Sequence, residues 1–109
     1  MINYNNAETC INMIKEGTDP FTKLDEKFLN VYRIIHKNVN GINKFTKSRA
    51  AAIGYIAAKL TGQKIKQPFK VKDRQVSKKD MALIFDATEK AVESSIKSIN
   101  RKNLFYTSL

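Results

Sequence analysis

Between Lys47 and Thr61 the chain runs KSRAAAIGYIAAKLT, and its middle, AAAIGYIAAKL, is apolar almost all the way round a helical wheel. A helix with no polar face has to be enclosed by other elements, so this one is expected at the centre of the fold, over about residues 47–61. Its small residues, Ala51, Ala52, Gly54, Ala57 and Ala58, let neighbouring helices come close. Gly54 costs about 1 kcal/mol of helix propensity against Ala, which points to a close crossing there. At about fifteen residues the segment is too short to span a bilayer as a helix. Gly62 closes it.

The remaining segments supply the enclosure. After a polar lead-in over residues 1–6, a short helix is expected over Ala7–Glu16, with Ile11 and Ile14 inward and Gly17 at its end. Cys10 shares that face as a buried thiol. Thr18-Asp-Pro-Phe21 reads as a turn, since Pro20 disfavours helix at the residue before it. A second helix is expected from about Lys23 to Asn38. Thr22 can cap it, and Asp25 and Glu26 suit its first turn. Leu24, Phe28, Val31, Tyr32 and Ile35 form its inward stripe, while Lys27, Arg33 and Lys37 face out. His36, the one histidine, reads as a surface residue near the helix end. Asn40-Gly41 stops the helix, with Gly41 in the left-handed cap conformation.

The segment SKKDMALIFDATEKAVESSIKSI, Ser77 to Ile99, reads as two helices joined by a tight turn. Ser77 is a good N-cap and Asp80 stands three residues on, where its carboxylate can face back to the cap. Met81, Ala82, Ile84 and Phe85 form one apolar face. Asp86-Ala87-Thr88 breaks the helix, and Thr88 caps the next. Val92, Ile96 and Ile99 then recur at i, i+4 and i+7. The opposite face carries Thr88, Lys90, Ser94, Lys97 and Arg101. This is the grammar of a helix-turn-helix, in which the first helix braces and the second can lie in the major groove of DNA. The small Ala82 allows the close approach that so short a turn demands. The turn has Asp86 where many such motifs have Gly. Glu89 and Glu93, which phosphates repel, lie in the reading helix. The alternative is an ordinary pair of packed helices.

Charge separates the halves of the chain. Of 20 Lys and Arg and 10 Asp and Glu, residues 1–41 hold five of each, so residues 42–109 hold fifteen basic and five acidic and carry the whole excess of +10. A one-sided basic field suits a polyanion, because Lys and Arg displace condensed counterions from phosphates. The alternative is a lysine-rich solubilising surface. The connector QKIKQPFKVKDRQV, residues 63–76, adds Lys64, Lys66, Lys70, Lys72 and Arg74 as candidate phosphate contacts, anchored by Ile65, Phe69, Val71 and Val76. Pro68 argues against helix there. A short extended piece fits the connector without implying a sheet. The closing LFYTSL, through Leu104, Phe105 and Tyr106, is expected to pack back on the domain; the alternative is a sticky contact for a partner.

An apolar share of 42% supports a packed core, and 109 residues suit a single domain. No signal peptide or membrane-spanning stretch is legible, so an intracellular setting, cytoplasm or nucleus, is expected. One Cys and one His leave most hydrolytic and nucleophilic designs without their parts. There is no Gly-rich phosphate loop and no metal-ligand spacing. The expectation is a non-enzyme with no cofactor and no metal.

SRAAAIGYIAAKLTGQKI resembles the alanine-rich third helix of the cyclin-like repeat of transcription factor B, with its A-A-x-x-Y-I-A core. SKKDMALIFDATEKAVESSIKSI is similar to that repeat's final helix pair, in which K-[DE]-[IM]-A opens the fourth helix and T-E-x-x-[VI] the fifth. The likeness covers about residues 48–99. It implies an all-α, five-helix cyclin-like domain with the third helix wrapped by the rest and a helix-turn-helix at about 77–102. It further implies duplex DNA and transcription-machinery proteins as partners. On this reading Lys90, Ser94 and Lys97 meet bases or nearby phosphates. Glu93 accepts from a cytosine amino group or repels non-cognate DNA. Lys78, Lys79, Arg101 and Lys102 contact phosphates, and Thr88 opens the reading helix. That family carries two repeats and a zinc ribbon. This chain has room for one repeat, and one cysteine cannot build the ribbon. A single small module buries about 600–1,000 Å² on DNA, so tight specific binding calls for a homodimer or a second protein. The competing function is that of a cyclin-box interaction module gripping a protein partner without touching DNA.

Overall fold

The computed structural model describes residues 2–41, 45–66 and 73–102. Within them the chain forms five helices and one very short hairpin ladder: α1 (Ala7–Gly17), α2 (Glu26–Asn40), α3 (Lys47–Thr61), β1 (Lys64–Ile65), β2 (Arg74–Gln75), α4 (Lys78–Ile84) and α5 (Glu89–Arg101). The protein is all-α, as its sequence implies.

The apolar α3 is the hub. Ala50, Ala51, Ala52, Ile53, Gly54, Ile56, Ala57 and Ala58 are all buried, because α2, α4 and α5 each pack against this helix. Thr46 caps its start by accepting from the Arg49 amide, and Gly62 closes it with φ of 73°, a left-handed value that suits glycine. Gly54 marks the expected close crossing. A Cβ built there would lie 2.7 Å from the Met81 sulfur on α4. A second close approach falls at Gly17, whose Cβ would lie 2.9 Å from Ile84. Two glycines thus let α3 and α1 both close on α4.

α1 begins at Asn6, whose side chain accepts from the Glu8 and Thr9 amides. Cys10, Ile11 and Ile14 are buried along it, and the Cys10 thiol donates to the Tyr4 carbonyl at 3.4 Å. α2 differs from expectation at both ends. It starts at Glu26 rather than Lys23, and Asp25, not Thr22, is its N-cap. The physical reason is Gln63. This buried amide donates to the Lys23 carbonyl at 2.9 Å and accepts from the Asp25 amide at 2.9 Å, which engages those groups outside the helix. Thr22 instead accepts from the Lys66 amide at 3.1 Å, tying the preceding turn to β1. At the far end Gly41 has φ of −74°, right-handed rather than left-handed, and its amide still bonds the Lys37 carbonyl.

His36 is not a surface residue. It is 3% exposed, with Nε2 2.9 Å from the Tyr4 carbonyl and its ring stacked on Phe45 at 4.2 Å. A carbonyl can only accept, so Nε2 carries the proton and donates. Burial lowers the pKa of His36 and the Tyr4 carbonyl offsets that in part. The ring lies on the inward stripe with Tyr32, Ile35 and Val39.

The connector forms a hairpin base: Lys64 pairs with Gln75 and Ile65 with Arg74, antiparallel. Ile65 and Val76 are buried and anchor it. Phe69 and Val71, and the expected packing of Leu104, Phe105 and Tyr106, lie outside the described residues.

Candidate nucleic-acid interface

α4 starts with a reciprocal cap. The Ser77 hydroxyl accepts from the Asp80 amide at 3.1 Å, and the Asp80 carboxylate accepts from the Ser77 amide at 2.7 Å. The Arg74 guanidinium grips the same carboxylate with two hydrogen bonds. Burial alone would raise the Asp80 pKa, but the bonds from Arg74 and Ser77 outweigh it and hold the carboxyl below its usual value. One side chain, Asp80, therefore fixes the hairpin, the cap and the start of α4.

The turn is as tight as the sequence implies. The Ala87 amide bonds the Ala82 carbonyl at 2.8 Å. Asp86 takes φ of 55°, the left-handed position that Gly fills most easily. Asp tolerates it better than most residues, because its short polar side chain can bond locally. Thr88 then caps α5, its hydroxyl accepting from the Ala91 amide at 3.1 Å. Met81, Ala82 and Phe85 are buried on one side of the pair, and Val92, Ile96 and Ile99 on the other. Ser95 of α5 also meets Ser48 of α3, hydroxyl to hydroxyl, at 3.4 Å.

With its apolar stripe turned inward, α5 presents Lys90, Ser94, Lys97 and Arg101 to solvent. At about 100° per residue these four fall within an arc of about 60°. Lys90, Lys97 and Arg101 join none of the ion pairs found among the described residues. Thr88 and Lys102 are the exposed cap residues at the two ends of α5 and fall outside this arc. Glu93 lies on the flank, half-buried, and pairs with Lys78 at 3.4 Å.

The other candidates are distributed differently. Lys79 and Lys64 are exposed. Lys66 pairs with Asp73 at 3.3 Å, and Arg74 is engaged with Asp80. These two line a cleft with Gly17, Asp19 and Leu83, on the α1 side of α4. Lys78 instead faces Tyr55, Ile96 and Asn100, on the side of α3 and α5. Lys70 and Lys72 lie outside the described residues. Sequence reasoning missed the pairing of Lys66, Arg74 and Lys78 with carboxylates. Of the three, only Lys66–Asp73 and Arg74–Asp80 are near enough in the chain to have left a signal. It also missed Gln63, which nothing in its local sequence marks.

Among the described residues no helix is long and apolar enough to cross a membrane. No protein-family model, curated protein or solved structure matches the chain.

Proposed function

We propose that this chain is a duplex-DNA-binding transcription factor or regulator that lays α5 in the major groove, with α4 as brace. The observation that carries the reading is the arc of Lys90, Ser94, Lys97 and Arg101. It is exposed, free of carboxylates, and set opposite the buried Val92, Ile96 and Ile99. From Lys90 to Arg101 the arc spans about 16 Å at about 1.5 Å per residue, enough to follow a groove about 12 Å wide past several bases. Lys90, Ser94 and Lys97 are placed for base edges or adjacent phosphates, and Arg101 for the backbone. The surrounded α3 and the order of helices support kinship with a cyclin-like repeat, which belongs to the same proposal.

Titration of duplex DNA over a range of salt tests it. Each neutralised phosphate contributes about 0.9 to the logarithmic salt slope. Replacing Lys90, Lys97 and Arg101 together with Ala lowers affinity and flattens that slope by about 2.7 if all three contact phosphates. The three are exposed, so the fold survives the change. An unaltered affinity and slope would remove α5 from the interface.

A second reading, a protein-interaction module without DNA contact, draws on the exposed Phe21, Leu60 and Leu83. Absence of any salt-dependent duplex binding would favour it.

A further inference from the structure

We propose that the groove between the C-terminal halves of α3 and α5 docks an acidic, amphipathic segment of a partner protein. The groove encloses about 320 Å³. Its floor is apolar: Ile56 and Ile96 lie almost covered beneath it, while Leu60 keeps 49% of its surface open. Leu60 is the one exposed large apolar side chain on α3, whose isoleucines and alanines are buried. The rim is cationic. Lys59 from α3 and Lys78 from α4 converge on one ring, their ammonium nitrogens 5.6 Å and 5.8 Å from the centre of Tyr55. Asn100 of α5 completes the rim with an amide that can both donate and accept.

Charge and floor together select the occupant. Glu93 pairs with Lys78, and no carboxylate is among the described residues that line the groove. Lys59 joins none of the ion pairs among the described residues. The rim therefore carries net positive charge and suits a carboxylate seated between the two ammoniums. A phosphodiester backbone would satisfy that charge but leave Leu60 uncovered. A purely apolar ligand would cover the floor and leave the Lys59 ammonium without a counter-charge. A helical segment with large apolar side chains at i, i+3, i+4 and i+7 and carboxylates flanking that stripe satisfies both, an amphipathic helix laid in a groove.

The groove is separate from the proposed DNA face. Ile96 and Asn100 stand about 110° round α5 from the centre of the Lys90–Arg101 arc. One helix can thus meet nucleic acid on one side and an acidic partner on the other.

The test uses the full chain and a fluorescent peptide with Leu and Phe at i, i+3, i+4 and i+7 and Glu and Asp beside that stripe, next to a control with every carboxylate replaced by its amide. The acidic peptide should bind in preference to the amide control. Lys59→Glu and Leu60→Ser should each weaken binding by at least about fivefold, the loss expected of one interface anchor. Both positions are exposed, so neither change disturbs the core. Lys97→Ala should leave peptide binding unchanged while acting on DNA. The proposal is overturned by any of five results. The acidic peptide does not bind, or it binds no better than its amide. The two groove variants match wild type for peptide, or weaken DNA while sparing peptide, which would assign the rim to phosphates. Binding that emerges only after deletion of residues 103–109 would assign the groove to the chain's own end.

Discussion

Gly54→Ala tests the crossing of α3 and α4 on which the α4–α5 pair is mounted. A Cβ at Gly54 would lie 2.7 Å from the Met81 sulfur, 3.1 Å from its Cε and 3.5 Å from its Cγ. Comfortable carbon contacts begin near 3.5 Å, so the end of Met81 must retreat by about 1 Å. Met81 is 1% exposed and sits among packed neighbours, so room for that retreat has to come from them. Overpacking of this kind costs about 1–3 kcal/mol, and the flexible thioether argues for about 2. Against it stands about 1 kcal/mol gained by Ala over Gly within a helix. The net expectation is a loss of about 1 kcal/mol, or roughly 4–8 °C in Tm for a domain of this size. Urea unfolding followed by circular dichroism measures it. The same substitution in a Met81→Ala background removes the clash and keeps the propensity gain, so there Gly54→Ala should stabilise by about 1 kcal/mol. The sign should therefore reverse between backgrounds, a coupling of about 2 kcal/mol. An equal effect in both, or a higher urea midpoint in the Met81 protein, would refute a tight α3–α4 contact.

Three further outcomes are expected. Asp86→Gly should stabilise by about 0.5–1 kcal/mol by relieving a left-handed residue, and Asp86→Val should destabilise by at least about 1 kcal/mol; the reverse order of urea midpoints would contradict the turn geometry. Because burial lowers the pKa of His36 from its ordinary 6.5, the folded protein binds that proton more weakly than the unfolded chain. Its contribution to stability is complete above 6.5 and is lost as pH falls through the lower folded value. His36→Gln, which keeps a donor for the Tyr4 carbonyl, should flatten the stability profile just below pH 6.5, and an unchanged slope would dismiss the role. Gln63→Ala should cost about 2–3 kcal/mol, since it strands the Asp25 amide and the Lys23 and Lys64 carbonyls; a loss under about 0.5 kcal/mol would mean that water takes its place.

Much of the architecture is legible wherever one period governs a stretch. The apolar run from Ala50 to Ala58 has to be enclosed, and every residue in it but the half-buried Tyr55 is buried. Ser77 with Asp80, and Thr88, mark two helix starts that the hydrogen bonds bear out. The stripe Val92, Ile96, Ile99 orients α5 and so exposes the four residues opposite. What escapes is decided across the fold rather than along it. The start of α2 is set by Gln63, some forty residues on. His36 is drawn in by its place on the Tyr32–Val39 stripe, a signal that its polar identity masks. The two-residue ladder at Lys64–Ile65 has no hydrophobic alternation to announce it. Within the candidate site, exposure follows from helical period, but which lysine meets which carboxylate depends on how α4 lies against α5.

The carboxylates of the basic half carry the sharper argument about that site. Beyond residue 41 there are five: Asp73, Asp80, Asp86, Glu89 and Glu93. Four are paired, with Lys66, Arg74, Lys47 and Lys78. The fifth, Glu89, sits in the first turn of α5, where the helix dipole favours it. Each therefore has a local task in a turn, a cap, an ion pair or a helix start. None falls on the arc that holds Lys90, Ser94, Lys97 and Arg101, although Glu89 and Glu93 are its immediate neighbours in sequence. A surface that only needed to be soluble would interleave the two signs, since that is what limits large one-signed fields. Sorting carboxylates off one exposed arc of a single helix serves no purpose for solubility or for packing. It does lower the cost of bringing that arc against phosphates, and the sorting supports the DNA reading more directly than the net charge of the chain.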